Sequence, residues 1–278
     1  MNPNQNVEPE PTQHHEPRTL LRGARVWLTG ASSGIGAALV TRLVERGARV
    51  AITARRVDLL EAIARDHSKG GSSLLVVPAD VTDPAAVAVA ARRIEAEWGG
   101  IDLAIFNAGG SVASNPQSAD RNPQFAAPDF VDTMALNYVS VVYGIDAVLP
   151  GMLARGSGHI SAVASLAGYR ASSVALPYSA AKAAVIHLIE GLRLSTGSRG
   201  IAFTIINPGF VRTPLTARNT FRMPFLVEAN VAAERIVRGL ERRKREIHFP
   251  APLSWTVKFL RLLPGSFYAR VISRAAPK

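Results

Sequence analysis

Tyr178-Ser-Ala-Ala-Lys182 sets a phenol and an ammonium four residues apart, so on a helix both leave the same face. A free phenol, with a pKa near 10, is a poor base at neutral pH, and a neighbouring cation stabilises the phenolate and lowers that value. The pair is suited to moving a proton to or from an oxygen of a bound molecule. Far upstream, Thr29-Gly-Ala-Ser-Ser-Gly-Ile-Gly36 follows the apolar run Val26-Trp27-Leu28. Glycines let a backbone turn tightly and approach a pyrophosphate, and a helix opening at Gly34-Ile35-Gly36 offers unpaired N–H groups and a positive dipole end. A capped helix start and a Gly/Ser-rich turn would each explain one pattern alone. Both together, in this order, point to proton transfer beside a bound nucleotide.

Short β-type runs alternate with helical stretches to position these groups. The strands are expected at Arg25–Thr29, Arg49–Ala54, Leu74–Pro78, Ile101–Phe106, His159–Val163, Ile201–Asn207 and Glu246–Phe249. Helices are expected to begin near Ile35, Val57, Pro84, Pro128, Pro177 and Val231, with proline suited to a first turn, where no N–H is needed. Ordered β-α alternation predicts an α/β fold, a Rossmann-type doubly wound parallel sheet of about seven strands in a single domain. The 47% hydrophobic content is ample for a sheet buried on both faces.

Two appendages flank the predicted catalytic unit, residues 23–250. Residues 1–22 read as a disordered tail: four prolines fall in the first seventeen positions, with no basic start or apolar stretch of a signal peptide. His14-His15 within it reads as a solvated pair, and no metal site is expected. Residues 251–278 form a basic amphipathic extension. From Glu234 to Lys278 there are eleven Lys and Arg against three Glu, most of the net charge of +11. With no cysteine in the chain, disulfides, thiolate zinc sites and cysteine nucleophiles are excluded. No uninterrupted apolar segment reaches the ~18 residues of a membrane span.

The glycine spacing is Gly-x-x-x-Gly-x-Gly at Gly30, Gly34 and Gly36, rather than Gly-x-Gly-x-x-Gly. In this the chain resembles the classical short-chain dehydrogenase/reductase family, from about Gly23 to Pro250. The resemblance implies a nicotinamide cofactor held by Gly30, Ser32, Ser33, Gly34, Ile35 and Gly36. It also implies Asp80-Val81 at the adenine ring and Asn107-Ala108-Gly109 along the adenine ribose. Pro208-Gly209-Phe210-Val211-Arg212-Thr213 matches the Pro-Gly-x-Val-x-Thr that holds the nicotinamide carboxamide, through Pro208, Gly209, Val211 and Thr213. Tyr178 would be the acid/base, and Lys182 the cation that lowers its pKa and contacts the ribose. Ser165, thirteen residues before Tyr178, would orient the substrate carbonyl, and Asn137 would hold a water against the lysine in a proton relay. The activity implied is interconversion of a carbonyl and an alcohol by hydride transfer.

After the second strand an acid would bind the ribose 2′-OH and repel a 2′-phosphate. This chain has Ala54 and then Arg55 and Arg56, and a guanidinium suits a phosphate dianion. NADP(H) is expected over NAD(H), with Arg55 as primary contact, although two surface arginines ending a strand would look the same. Gly110–Ala127 and Pro214–Glu228 are expected to shape the substrate pocket. Phe221-Arg-Met-Pro-Phe-Leu226 fits either an apolar lid over a lipophilic carbonyl or packing on a neighbouring subunit, since family members are usually dimers or tetramers. On a short helix over Leu253–Leu263, Ser254, Lys258 and Arg261 form a polar stripe among apolar residues. It is expected either to lie on an anionic membrane surface or to dock on a partner subunit. Localisation is expected to be cytoplasmic, with membrane association through this extension. A catalytically idle nucleotide sensor or scaffold is the rival reading, opposed by the intact Ser165, Tyr178 and Lys182. A nucleic-acid role is not expected, because the charge is confined to a tail rich in large apolar residues and no known motif appears.

Overall fold

A computed structural model describes residues 21–68, 74–110, 126–171, 175–219 and 222–275. His14-His15 and most of the expected tail, of the Gly110–Ala127 segment and of the start of the Phe221–Leu226 run lie outside them. Seven parallel strands form one sheet: β1 (Arg25–Thr29), β2 (Arg49–Thr53), β3 (Leu74–Val76), β4 (Leu103–Phe106), β5 (Gly158–Val163), β6 (Ile201–Pro208) and β9 (Glu246–Phe249). Their spatial order is β3-β2-β1-β4-β5-β6-β9. The order reverses between β1 and β4, and in such sheets the crevice beyond the strand C-termini at that point takes the ligand. The two-residue strands β7 (Val211–Arg212) and β8 (Val227–Glu228) pair with each other apart from the main sheet.

Alternate residues of each strand serve opposite faces. Val26, Leu28, Leu103 and Ile105 join one buried cluster with helices α1 (Gly34–Glu45) and α7 (Ala229–Glu241). Trp27, Ala104 and Phe106 join the other with α3 (Pro84–Trp98), α5 (Ser140–Arg155) and α6 (Leu176–Thr196). Trp27 sits edge-on to Phe106 at 5.9 Å and donates its indole N–H to Thr53 Oγ1 at 2.9 Å, so its one polar atom is satisfied inside the core. Helix α2 (Val57–Ser68) completes the sequence over β3.

The local reasons for these elements are readable. Asp83 caps α3 by accepting from the Ala85 N–H at 2.9 Å, Pro84 occupies the first turn, and Gly99 ends the helix at φ 77°. Strand boundaries match expectation within two residues, and helices begin within two residues of the expected positions. Helix α4 (Ala127–Met134) runs into α5 through a π-helical turn, Ala135–Val139. The combined run Ala127–Arg155 is long and apolar enough to cross a membrane by length and composition. Its Val141, Ile145, Val148 and Met152 are instead buried against the sheet. The extension forms two helices, α8 (Ala251–Leu262) and α9 (Gly265–Ala275), the second of which the sequence reading left unassigned.

Candidate active site

The loop leaving β1 carries the glycines. Gly30 has φ 68°, and a Cβ there would lie 2.6 Å from Ala108 Cα; a Cβ on Gly36 would collide with the Gly30 carbonyl. Only glycine fits either position. Asn107, at the end of β4, fixes this loop from the neighbouring strand. Its Nδ2 donates to the Thr29 and Gly30 carbonyls at 3.2 and 3.1 Å, while Thr29 Oγ1 accepts from the Asn107 and Ala108 N–H groups.

The loop opens on a cleft of about 300 Å³. Gly30, Ser32, Ser33, Gly34, Ile35, Gly36, Arg55, Val81, Asn107, Ala108, Gly109, Tyr178, Lys182 and Thr213 all line it. These segments are spread over nearly the whole chain, and the sheet brings them together beyond the ends of β1, β2 and β4. Asp80, Asn137, Ser165, Pro208, Gly209 and Val211 are not among the lining residues. Asp80 accepts from the Thr82 N–H and hydroxyl at 2.9 and 2.7 Å, which holds its carboxyl below the usual range. Gly209 donates to the Phe249 carbonyl at 2.7 Å, and Val211 is buried with its carbonyl accepting from Thr216 Oγ1.

The two arginines after β2 differ. Arg55 is 71% exposed, with Asp80 3.7 Å away. Arg56, which also lines the cleft, donates through Nη2 to Ser32 Oγ at 2.9 Å and to Ser33 Oγ at 3.0 Å. It is the better-held guanidinium, stretched across the glycine loop.

Tyr178 and Lys182 lie one turn apart near the start of α6, the ammonium 5.5 Å from the phenol ring centre. Lys182 is 2% exposed, and its Nζ donates to the Val163 carbonyl at 2.8 Å. Burial pulls the ammonium down to about 7. Burial also pushes the Tyr178 phenol up to about 12, opposed by a hydrogen bond with Ser165. Desolvation of the hydroxyl outweighs that hydrogen bond. Ser165 caps the 3₁₀ turn Leu166–Gly168 by accepting from the Ala167 N–H at 3.1 Å.

Asn137 lies in the π-helical turn, fully buried. Such turns concentrate at functional sites. Its amide Nδ2 donates to the Gly110 and Thr133 carbonyls at 2.7 and 2.9 Å, and Oδ1 accepts from the Gly110 N–H at 3.1 Å. The side chain is thus a clamp on the end of the Asn107–Gly110 segment. A Cβ on Gly109 would lie 2.7 Å from Asn137 Oδ1 and 3.1 Å from Lys182 Nζ, so that glycine lets the clamp and the lysine come together.

A family model described as short chain dehydrogenase matches residues 24–222. An uncharacterized oxidoreductase of Myxococcus xanthus (strain DK1622) is 37% identical over 241 residues, covering 87% of this chain and 93% of its own. One of Staphylococcus aureus (strain MW2) is 33% identical over 199 residues, 72% of this chain and 83% of that protein. Among solved structures, a short chain dehydrogenase from Burkholderia cenocepacia J2315 in complex with NADP superposes with a TM-score of 0.70 at 28% identity, over 82% of this chain and 95% of that one. A short chain dehydrogenase/reductase from Burkholderia phymatum in complex with NAD gives 0.76 at 21% identity, over 86% and 92%, a likeness of fold alone. With the family model spanning most of the chain and the glycine loop, Tyr178 and Lys182 on one cleft, the chain belongs to the classical short-chain dehydrogenase/reductase family and is an NAD(P)-dependent oxidoreductase.

Proposed function

We propose that the protein is an NADP(H)-dependent reductase that interconverts a lipophilic ketone or aldehyde with its alcohol. The observation that carries this reading is Tyr178 on the wall of a glycine-lined cleft, one helical turn from the buried Lys182. A phenol placed there can give its proton to a carbonyl oxygen as hydride arrives, which supports reduction. NADP(H), when bound, supplies the hydride and, once oxidised, a positive charge beside the phenol.

The chain's residues divide the remaining work. Ser165 orients the carbonyl oxygen, and Tyr178 delivers its proton to that oxygen as it gains negative charge. Lys182 contacts the ribose and helps the tyrosine recover its proton. Asn137 positions Gly109 and Gly110 against Lys182 and, with one acceptor site left on Oδ1, holds the relay water. The glycine cradle with Ser32, Ser33 and Ile35 takes the pyrophosphate. Asp80, Val81, Asn107 and Ala108 flank the adenosine, and Pro208, Gly209, Val211 and Thr213 face the carboxamide. Arg56, braced by two hydroxyls, is the better-placed partner for a 2′-phosphate, with Arg55 beside it.

The segment from Thr213 to Leu226 is pinned at its base by the β7–β8 pair and by an Arg212–Glu228 bridge of 2.8 Å. Phe225 on it is exposed at φ 56°. An apolar segment tethered at both ends supports a lid over a lipophilic substrate. The expected homodimer or homotetramer and a cytoplasmic location complete the reading, as the family resemblance implies.

The test is direct. NADPH and NADH are titrated into the wild type by nicotinamide fluorescence, and lipophilic ketones are then screened for NADPH consumption. Tighter NADPH binding and turnover that disappears in Tyr178→Phe, with NADPH binding kept, supports the reading. Equal or tighter NADH binding, or full turnover by Tyr178→Phe, overturns it.

A further inference from the structure

A helix on a protein surface ordinarily turns its polar stripe to water and its apolar stripe to the core. Helix α8 sends much of its polar stripe inward. Ser254 is fully buried and gives its hydroxyl to the Pro250 carbonyl at 2.8 Å. Lys258 reaches in to Glu246 at 2.8 Å, with the Tyr169 ring 5.7 Å away. Leu253 and Val257 pack against the body, but Trp255, Phe259 and Leu262 are left 64%, 65% and 80% exposed. Spaced at i, i+4 and i+7, these three share one stripe.

The stripe is held in place. His248 meets Trp255 edge-on at 5.7 Å, and the Lys258 ammonium lies 5.5 Å from its ring centre. Helix α9 is fastened by the Tyr268 hydroxyl, which donates to the Ala171 carbonyl at 2.6 Å. Arg170 stacks on the Tyr268 ring at 4.5 Å and donates to the Leu263 carbonyl at 3.1 Å. Phe267 on α9 adds a further exposed ring, at 52%.

The surrounding charge decides what covers this surface. From Ala251 to Lys278 the chain carries five Lys and Arg and no acid. Fixed aromatic and aliphatic side chains in a segment with this excess of cations over acids complement anionic headgroups above an acyl interior. A second copy packed face to face would instead bring like charges together. At 12 and 11 residues, the helices are too short to span a hydrocarbon core of about 30 Å. We propose that α8 and α9 lie in the plane of an anionic membrane surface, with Trp255, Phe259 and Leu262 inserted at headgroup depth.

The chain carries its own probe. Trp27 and Trp98 are 1% and 8% exposed, so a change in tryptophan emission on adding vesicles reports Trp255. The full chain is floated with phosphatidylcholine vesicles with and without phosphatidylglycerol, beside a Trp255→Ser/Phe259→Ser variant checked by circular dichroism and NADPH binding. The proposal expects flotation and a blue shift with the anionic vesicles, both weakened by salt, and affinity reduced about tenfold or more in the variant. Absence of flotation, or flotation unchanged in the variant, overturns it. Dissociation of a dimer by the same substitutions without vesicle binding overturns it in favour of a second copy. Salt-sensitive retention on duplex DNA without vesicle binding overturns it in favour of nucleic acid. Nucleotide binding is read separately, so this proposal and the reductase reading can fail independently.

Discussion

Replacing Lys182 by methionine is expected to abolish turnover and, without nucleotide, to make the folded protein more stable. Lys182 is 2% exposed, and burial draws its ammonium from 10.5 to about 7. Between those values the unfolded chain binds the proton and the folded chain does not. Stability therefore rises with pH across that window, and the full cost of the buried ammonium is present below about pH 7. The separation corresponds to about 4 kcal/mol at pH 7 and about 2 kcal/mol at pH 9. Methionine fills similar space without charge, but leaves the Val163 carbonyl without its 2.8 Å partner, an offset of about 1–3 kcal/mol. The variant should thus be about 2 kcal/mol more stable than wild type near pH 7, and that advantage should vanish near pH 9. Urea denaturation followed by tryptophan fluorescence at both pH values measures this. A variant less stable at both, or a difference that does not change with pH, would refute the claim that the Lys182 ammonium is held at the expense of fold stability.

His159 is buried, with Nε2 2.8 Å from Thr204 Oγ1, and burial and Arg243 depress it to about 4. Its contribution is present above about pH 6.5 and drains as pH falls toward 4, so about 2 kcal/mol should be lost by pH 5; denaturation of His159→Gln should show a flatter acid limb. Gly109→Ala places a Cβ 2.7 Å from Asn137 Oδ1 and 3.1 Å from Lys182 Nζ. It should cost about 1–3 kcal/mol in thermal unfolding and most of the turnover, whereas Gly156→Ala, with nothing near its Cβ, should leave turnover intact despite its positive φ. Arg56→Ala should weaken NADPH about 10- to 100-fold, the worth of charge-assisted hydrogen bonds, and leave NADH nearly unchanged. Arg55→Ala should do less, and the reverse ranking in paired fluorescence titrations would restore Arg55 as the primary contact.

Strands such as Val26–Leu28 and Leu103–Phe106 are legible because a parallel strand buried on both faces is apolar at every position. The glycine loop and the Tyr178/Lys182 pair are legible because their chemistry depends on local spacing. What the sequence hides depends on partners far along the chain. Arg55 and Arg56 are adjacent and alike, and only the placement of Ser32, Ser33 and Asp80 separates them. The π-helical turn around Asn137 leaves no mark in the residue pattern, because Gly110, 27 residues away, supplies the carbonyl and N–H that occupy the amide. One-turn spacing predicts the nearness of Lys182 to Tyr178 but not the desolvation of both groups. Residues β7 and β8 are too short to show a period at all.

The polar stripe of α8 was visible in the sequence, but its direction was not, and the reason ties the extension to the reaction centre. Glu246, on the last strand, accepts from Lys258 of α8, from the Tyr169 hydroxyl and from Asn207 Nδ2. One carboxylate thereby joins the extension, the loop after Ser165 and strand β6. Gly209 closes the same circuit: its N–H donates to Phe249 at the end of β9, and Leu253 of α8 lies 3.0 Å from where its Cβ would be. The Pro208–Gly209 turn, proposed to face the nicotinamide, therefore rests on the first turn of the helix proposed to meet the membrane. An anchoring tail has no physical need of a buried network beneath it, since hydrophobic insertion and cations suffice. A helix pinned by Glu246 and stacked on Gly209 would hold the cleft at a fixed orientation to the proposed membrane surface, as the proposed lipophilic substrate drawn from it would require.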